Sequence, residues 1–442
     1  MFRGKSRKGA ENRGFMEQHC EPTSLGLETK RNDYEHLGAP RLDKHMARSV
    51  CDDLEAWTCN SLCVLNEKII RSSGDNSPLQ QLIREGAELA EQCHAVLTNV
   101  SRLDQKTGLG VVGNLGMFVS SCVRHGIAVS DPRLSSTLEV LSALAAVHQH
   151  PPRESLYTYV LYNEPNLEGR FKSFTQTEDE QQFIRLTKIA VGASNSARDA
   201  VARVDLSNPQ EAEALLRAAK LAMTQYKTTL VHFLRPSGLE AALVSPDVFY
   251  DHFRQFPSLE IGGIKYGPPS AAYAGSIMEL DLRLGLTDPF QRQHTQARLA
   301  YFLAPERQLL EQALQTPPLL SNLLGDSMED PYPKAVRQQL IERNLLGVAA
   351  EFINVCDEFA AASSVHGGLI RNYLIRPKAT RAGESSEGYG TDDSHGCPFS
   401  KKAMVVDPTL GASGMTFEQV AHLKELRKSA QGLAVLRRAL EN

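Results

Sequence analysis

Long apolar runs are missing from this sequence. No stretch approaches the roughly 18 to 20 consecutive apolar residues that a membrane-spanning helix needs, which argues against a helical membrane protein. The opening residues, MFRGKSRKGAENRG, are basic but lack the apolar segment of a secretory signal, so the expected location is the cytoplasm. Cysteines at metal-binding spacing are missing as well: the chain has eight cysteines and no C-x-x-C pair. Scattered, reduced thiols are the expectation, rather than a zinc site or a disulfide framework. A strong charge of either sign is also lacking. A formal charge of −4 and a pI near 6.4 give no long-range attraction for nucleic acid phosphates or an anionic membrane, so neither is an expected partner.

Strand-like alternation is scarce, and helical periodicity takes its place. The 442 residues are 42% hydrophobic and 23% charged, enough apolar matter for one large or two ordinary domains. Residues 1–75 are rich in charge, Gly, Ser and Asn, with one amphipathic stretch at Ala47–Ile70, and read as a polar extension or accessory cap. Beyond them, apolar residues recur at helical spacing in Leu79–Val100, Gly113–Gly126, Ser135–Val147, Glu178–Val204, Pro209–Phe233, Ser270–Leu284, Thr295–Gln315 and Tyr332–Leu374. Proline and glycine clusters such as HQHPPRES, LRPSGLE and QTPPLL fall between these segments, where turns and caps belong. An all-α helical bundle is therefore expected, divided into a smaller helical region at 76–165 and a larger helical domain at 166–442. A long low-complexity loop at 378–410 interrupts the larger domain, and a last helix follows at Thr416–Leu440.

Within that domain Ile341, Leu345, Val348, Phe352, Val355 and Phe359 form a stripe down one helix face. Continued, the count reaches Ala362, His366 and Tyr373, so the imidazole of His366 points inward. A buried neutral imidazole needs partners for its ring nitrogens, at a cost of about 1–3 kcal/mol for each left unpaired. A neighbouring helix carbonyl or a metal would each serve. Gly367 and Gly368 follow, each weakening a helix by about 1 kcal/mol relative to alanine, and a flat macrocycle lying against the backbone would account for them.

The run from His366 through Leu369, Tyr373 and Leu374 to Pro377, followed by LGASGM and the helix FEQVAHLKELRKS, resembles the C-terminal half of the indoleamine/tryptophan 2,3-dioxygenase superfamily. VSPDVFYDHFR resembles that family's substrate-carboxylate segment, and YGPPSAAYAGS its small-residue loop over the haem pocket. PPRESLYTYVLYNEP and FKSFTQTEDEQQF resemble the branch containing monodechloroaminopyrrolnitrin synthase, and the likeness extends from about residue 107 to 439. The resemblance implies haem b held through its iron by His366, with Gly367, Ser270, Tyr373 and Gly411 beside the cofactor. It implies O₂ as co-substrate and a small aromatic amino acid or indole as substrate, in a monomer or homodimer. Arg254 would bind the substrate carboxylate, with Phe249, Tyr250, Tyr159, Ser270 and Ala412 around the ring. Ala412 stands where the family has threonine, and Ser413 where it has glycine. No protein acid or base is assigned.

On that reading the chain is an oxygenase acting on tryptophan or a modified indole in specialised metabolism. A haem monooxygenase or ring-rearranging enzyme on the same fold, and a helical protein that binds haem or ligand without turnover, stay open. Two other signals carry less. TGLGVVGNLG has G-x-G-x-x-G spacing but no preceding strand, so a loop entering a packed helix is expected there. His148 and His150, two apart, read as a solvated helix end.

Overall fold

The computed structural model describes residues 44–72, 75–96, 103–234, 244–253, 256–270, 274–325, 332–377 and 417–441. Among them the chain is helical apart from one two-stranded hairpin. The order is α1 (Lys44–Trp57), running through a wide turn into α2 (Cys63–Arg71), then α3 (Ser77–Val96), α4 (Gln105–Arg124), α5 (Ser135–His148), α6 (Glu178–Ala202), α7 (Pro209–Leu234) and the short α8 (Pro246–Val248). The hairpin strands β1 (Leu259–Ile261) and β2 (Ile264–Tyr266) follow. Then come α9 (Gly275–Leu284), α10 (Pro289–Gln296), α11 (Ala304–Gln315), α12 (Leu319–Leu324), α13 (Pro333–Glu342), α14 (Leu346–Ile370), α15 (Phe417–Ser429) and α16 (Gln431–Glu441). No described helix is long and apolar enough to cross a membrane.

Local chemistry sets the helix ends. Asp104, Thr177 and Asp288 stand before α4, α6 and α10, and each side chain accepts a hydrogen bond from a first-turn N–H. Proline opens α10, α11 and α13, where its missing N–H costs nothing. The hairpin turns on Gly262 and Gly263, at φ of 61° and 75°, a conformation that only glycine adopts freely.

Two large apolar cores meet in this bundle, beside a smaller one around Tyr157, Leu282 and Phe302. The first gathers Leu54, Leu62, Leu82, Phe118, Leu141, Tyr159 and Phe174 with Phe256 and Tyr373, so it draws on both sides of the expected division at residue 165. Residues 51–69, expected within a polar extension, supply fully buried Leu54 and Leu62 to it. The second core joins α6, α7, α9 and α12–α14 through side chains such as Leu216, Met223, Phe352 and Phe359. Within it α7 packs against both α6 and α14.

The stripe on α14 is as the sequence implies: Leu345, Val348, Phe352, Val355, Phe359 and Ala362 are all buried. Ile341 is the exception at 47% exposed, because the expected single helix breaks at Asn344, where φ is 55° and α13 ends. The glycines of TGLGVVGNLG lie inside α4 rather than in a loop, and they let the helix approach the segment 153–158 closely. A methyl group on Gly116 would lie 2.1 Å from the Glu154 nitrogen, and one on Gly113 would lie 2.8 Å from Thr158 Cβ. His150 is buried rather than solvated, with Nδ1 2.6 Å from the Pro151 carbonyl and Nε2 2.7 Å from Ser155 Oγ.

Candidate active site

Where the two cores meet they do not close. A cavity of about 320 Å³ separates them, lined mainly by apolar and aromatic side chains from α6, α7, α9, α10, α14 and α15 and from the segments around Tyr159 and Phe249. Its size and lining suit a small aromatic ligand or a flat cofactor.

Of the residues singled out in the sequence, His366, Tyr373, Phe249, Tyr159 and Ser270 line this one cavity, although they come from four separate parts of the chain. Tyr250 and Gly367 do not line it. At Gly367 an added methyl group would meet nothing within 4 Å, so packing does not explain that glycine. Arg254, Gly411, Ala412 and the loop 378–410 lie outside the described residues.

His366 stands on α14 as an exposed residue whose side chain lines the cavity. Burial, reinforced by the Arg427 guanidinium, pushes its pKa down to about 4, so at neutral pH it is an uncharged imidazole able to bind a metal. Two helical turns on, Tyr373 Oη lies 2.7 Å from the carbonyl oxygens of both Phe233 and Val244, tying the end of α7 to the approach to α8. Phe249 packs between Phe183 and Tyr373, at ring separations of 5.5 and 5.4 Å.

Tyr159 is fixed by a buried carboxylate. Its hydroxyl donates to Glu180 at 2.5 Å, and Glu180 also accepts from the Phe174 and Thr175 N–H groups and the Thr175 hydroxyl. Burial raises the Glu180 pKa and these donors oppose it, while burial beside Glu180 holds the Tyr159 hydroxyl protonated. Pro268, Pro269 and Ser270 reach the cavity from the end of the hairpin. The buried Arg153 anchors that hairpin: it pairs with Glu154 and donates to the Pro257 carbonyl at 3.1 Å and the Tyr266 carbonyl at 3.0 Å.

Four lining groups escaped the sequence reading. Arg427 of α15 pairs with Asp281 of α9 through two nitrogens, donates to Ser363 Oγ at 2.8 Å, and lies 4.1 Å above the Phe359 ring. Gln291 and His294 of α10 are the other two. Among the described residues no group of three or more His, Cys, Asp or Glu side chains could hold a metal ion. A neutral, cavity-facing imidazole in an aromatic surround fits the proximal side of a haem.

The fold is that of an all-α protein with an aromatic-lined interior cavity and a histidine on its wall. Residues 62–392 match the family model described as monodechloroaminopyrrolnitrin synthase PrnB, well over half of the chain, and the protein belongs to that family. No curated protein matches the sequence. The family match ends before α15, so Arg427 lies beyond it.

Proposed function

We propose that the protein is a haem-dependent oxygenase that uses O₂ on tryptophan, a modified indole or a related aromatic amino acid, with His366 as the proximal ligand of haem b. The observation that carries this reading is the neutral His366 imidazole facing an aromatic cavity in a member of this family. Haem would supply the oxygen-activating redox chemistry, and the chain supplies placement and electrostatics.

His366 offers its lone pair because burial keeps the ring unprotonated, and the nearby charge of Arg427 makes it a weaker base still. Phe249, Phe183, Phe233 and Tyr373 form an aromatic wall that excludes water and holds a planar ring. Tyr159 cannot swing freely into the cavity, since its hydroxyl is committed to Glu180. Arg254 is assigned to the substrate carboxylate, for which a planar guanidinium offers two parallel hydrogen bonds. The one carboxylate of the described lining, Asp281, is engaged by Arg427, so no free carboxylate base faces the substrate there.

The test is an ultraviolet-visible spectrum of protein purified with adequate haem supply, repeated on His366→Ala. A Soret band in the parent that is lost or displaced in the variant is expected. A colourless parent, or a variant with an unchanged spectrum, overturns the assignment. Product formation under O₂ and reductant with tryptophan and substituted indoles then separates an oxygenase from a protein that binds haem without turnover.

A further inference from the structure

Several polar groups on the cavity wall are satisfied by the protein. Tyr159 donates to Glu180, Tyr373 bonds two backbone carbonyls, Asp281 and Arg427 pair, and Ser363 donates to the Phe359 carbonyl. The wall formed by α10 breaks this pattern. Gln291 is only 5% exposed and lines the cavity, yet neither its amide oxygen nor its amide nitrogen has a hydrogen-bond partner. One turn along the same helix, His294 lines the cavity too, and its Nε2 is buried without a partner. Thr287 and Thr295 border the same patch.

A buried primary amide with both ends unmet is rare in native proteins, because nothing repays its lost contact with water. Asp288 and Pro289 fix α10 by capping and by φ restriction, so the position of the helix is determined independently of these side chains. The terminal torsion of glutamine is broad, and a modest rotation turns either amide atom toward the cavity at little cost. Gln291 presents one donor edge and one acceptor edge, and His294, neutral through burial, adds a further donor or acceptor. Of the nearby cations, Arg427 is engaged by Asp281, and Arg298 lies close enough to His294 to lower its pKa further. A bare anion would leave the Gln291 oxygen unmet, whereas a group that both donates and accepts satisfies the whole patch.

We propose that Gln291 and His294 form a hydrogen-bonding subsite in the cavity wall that recognises a neutral donor–acceptor group, such as a carboxamide, on the aromatic ligand. The subsite does not depend on iron, so it stands or falls separately from the haem assignment.

Two probes of nearly equal shape test it: indole-3-carboxamide, and 3-acetylindole, in which a methyl group replaces the amide nitrogen. Isothermal titration of the full-length protein is expected to favour the carboxamide by on the order of tenfold. Gln291→Leu is expected to abolish that preference while retaining 3-acetylindole binding, and His294→Phe to reduce it. Gln291→Met serves as a second variant should the leucine protein fold poorly. Equal affinities in the parent, failure of both probes to bind it, or a preference that survives both Gln291 substitutions would each overturn the proposal. The Soret spectrum of the same parent sample reports on the haem assignment independently of either outcome.

Discussion

Tyr159 and Gln291 line the same cavity from different walls, and their surroundings differ in kind. Behind Tyr159 lies a closed network: Glu180 receives four donors, and Arg153 with Glu154 secures the hairpin that leads to Ser270. Behind Gln291 there is no such network, and its amide meets no protein partner. The hydrogen bonds of the first wall are complete without a ligand. The second reaches full hydrogen bonding only when something else supplies the missing atoms. Shape selection and polar selection are thus assigned to different parts of one cavity.

The contrast is open to measurement, and the largest effect is expected at Glu180. Glu180→Ala leaves the Tyr159 hydroxyl and two backbone N–H groups unmet, and should cost about 3–5 kcal/mol of stability, comparable to breaking a buried ion pair. Urea unfolding measures it, and a loss below about 1 kcal/mol would show that this wall is not held by its carboxylate.

Histidine titration gives the next effect. Burial pushes the pKa of the partnered His150 down to about 4 from the ordinary histidine value of about 6.5. Its folded-state pKa is depressed, so the unfolded chain binds more protons between those two values. The stability is fully present above about pH 6.5 and is lost as pH falls toward 4, by on the order of 3 kcal/mol for this buried ring. His294 is shifted in the same direction. Urea titrations at pH 7 and 4.5 should therefore show a falling midpoint, and His150→Gln should reduce the difference. Added indole-3-carboxamide is expected to alter the share of this pH dependence due to His294 and leave that of His150 unchanged.

The smallest effect is expected at Gln291. Gln291→Leu in ligand-free protein should leave stability unchanged or raise it by about 1 kcal/mol, because it removes buried polar atoms that have no partner. A loss of 2 kcal/mol or more would mean that the amide is satisfied in solution, and the distinction between the two walls would vanish.

The sequence made the first wall and the His366 helix legible far more readily than the second. The stripe from Leu345 to Ala362 predicts an inward-facing His366, and the structure places it on the cavity wall as an exposed residue. Tyr159, Phe249 and Ser270 came from resemblance, and the fold places all three on the cavity. α10 was not foreseen as a helix beginning at Pro289: PFQRQHTQ has too few apolar residues to show a period, and what marks Gln291 as unusual is a lack of partners. Arg427 and Asp281 are 146 residues apart, and neither lies in a local motif that would announce the pair. The break at Asn344 was hidden because a single left-handed residue interrupts a helix without disturbing the spacing of apolar side chains around it.

The glycines of α4 have a consequence well away from that helix. Gly113 and Gly116 press directly against the stretch of chain that carries Tyr159, with no side chain between them to act as a cushion. A single enlarged residue there would displace the whole tyrosine segment and change the room available to a ligand without altering any group that touches it. This contact therefore acts on the shape of the cavity from a distance, and alanine or serine at these two positions is expected to change its volume although neither position belongs to its lining.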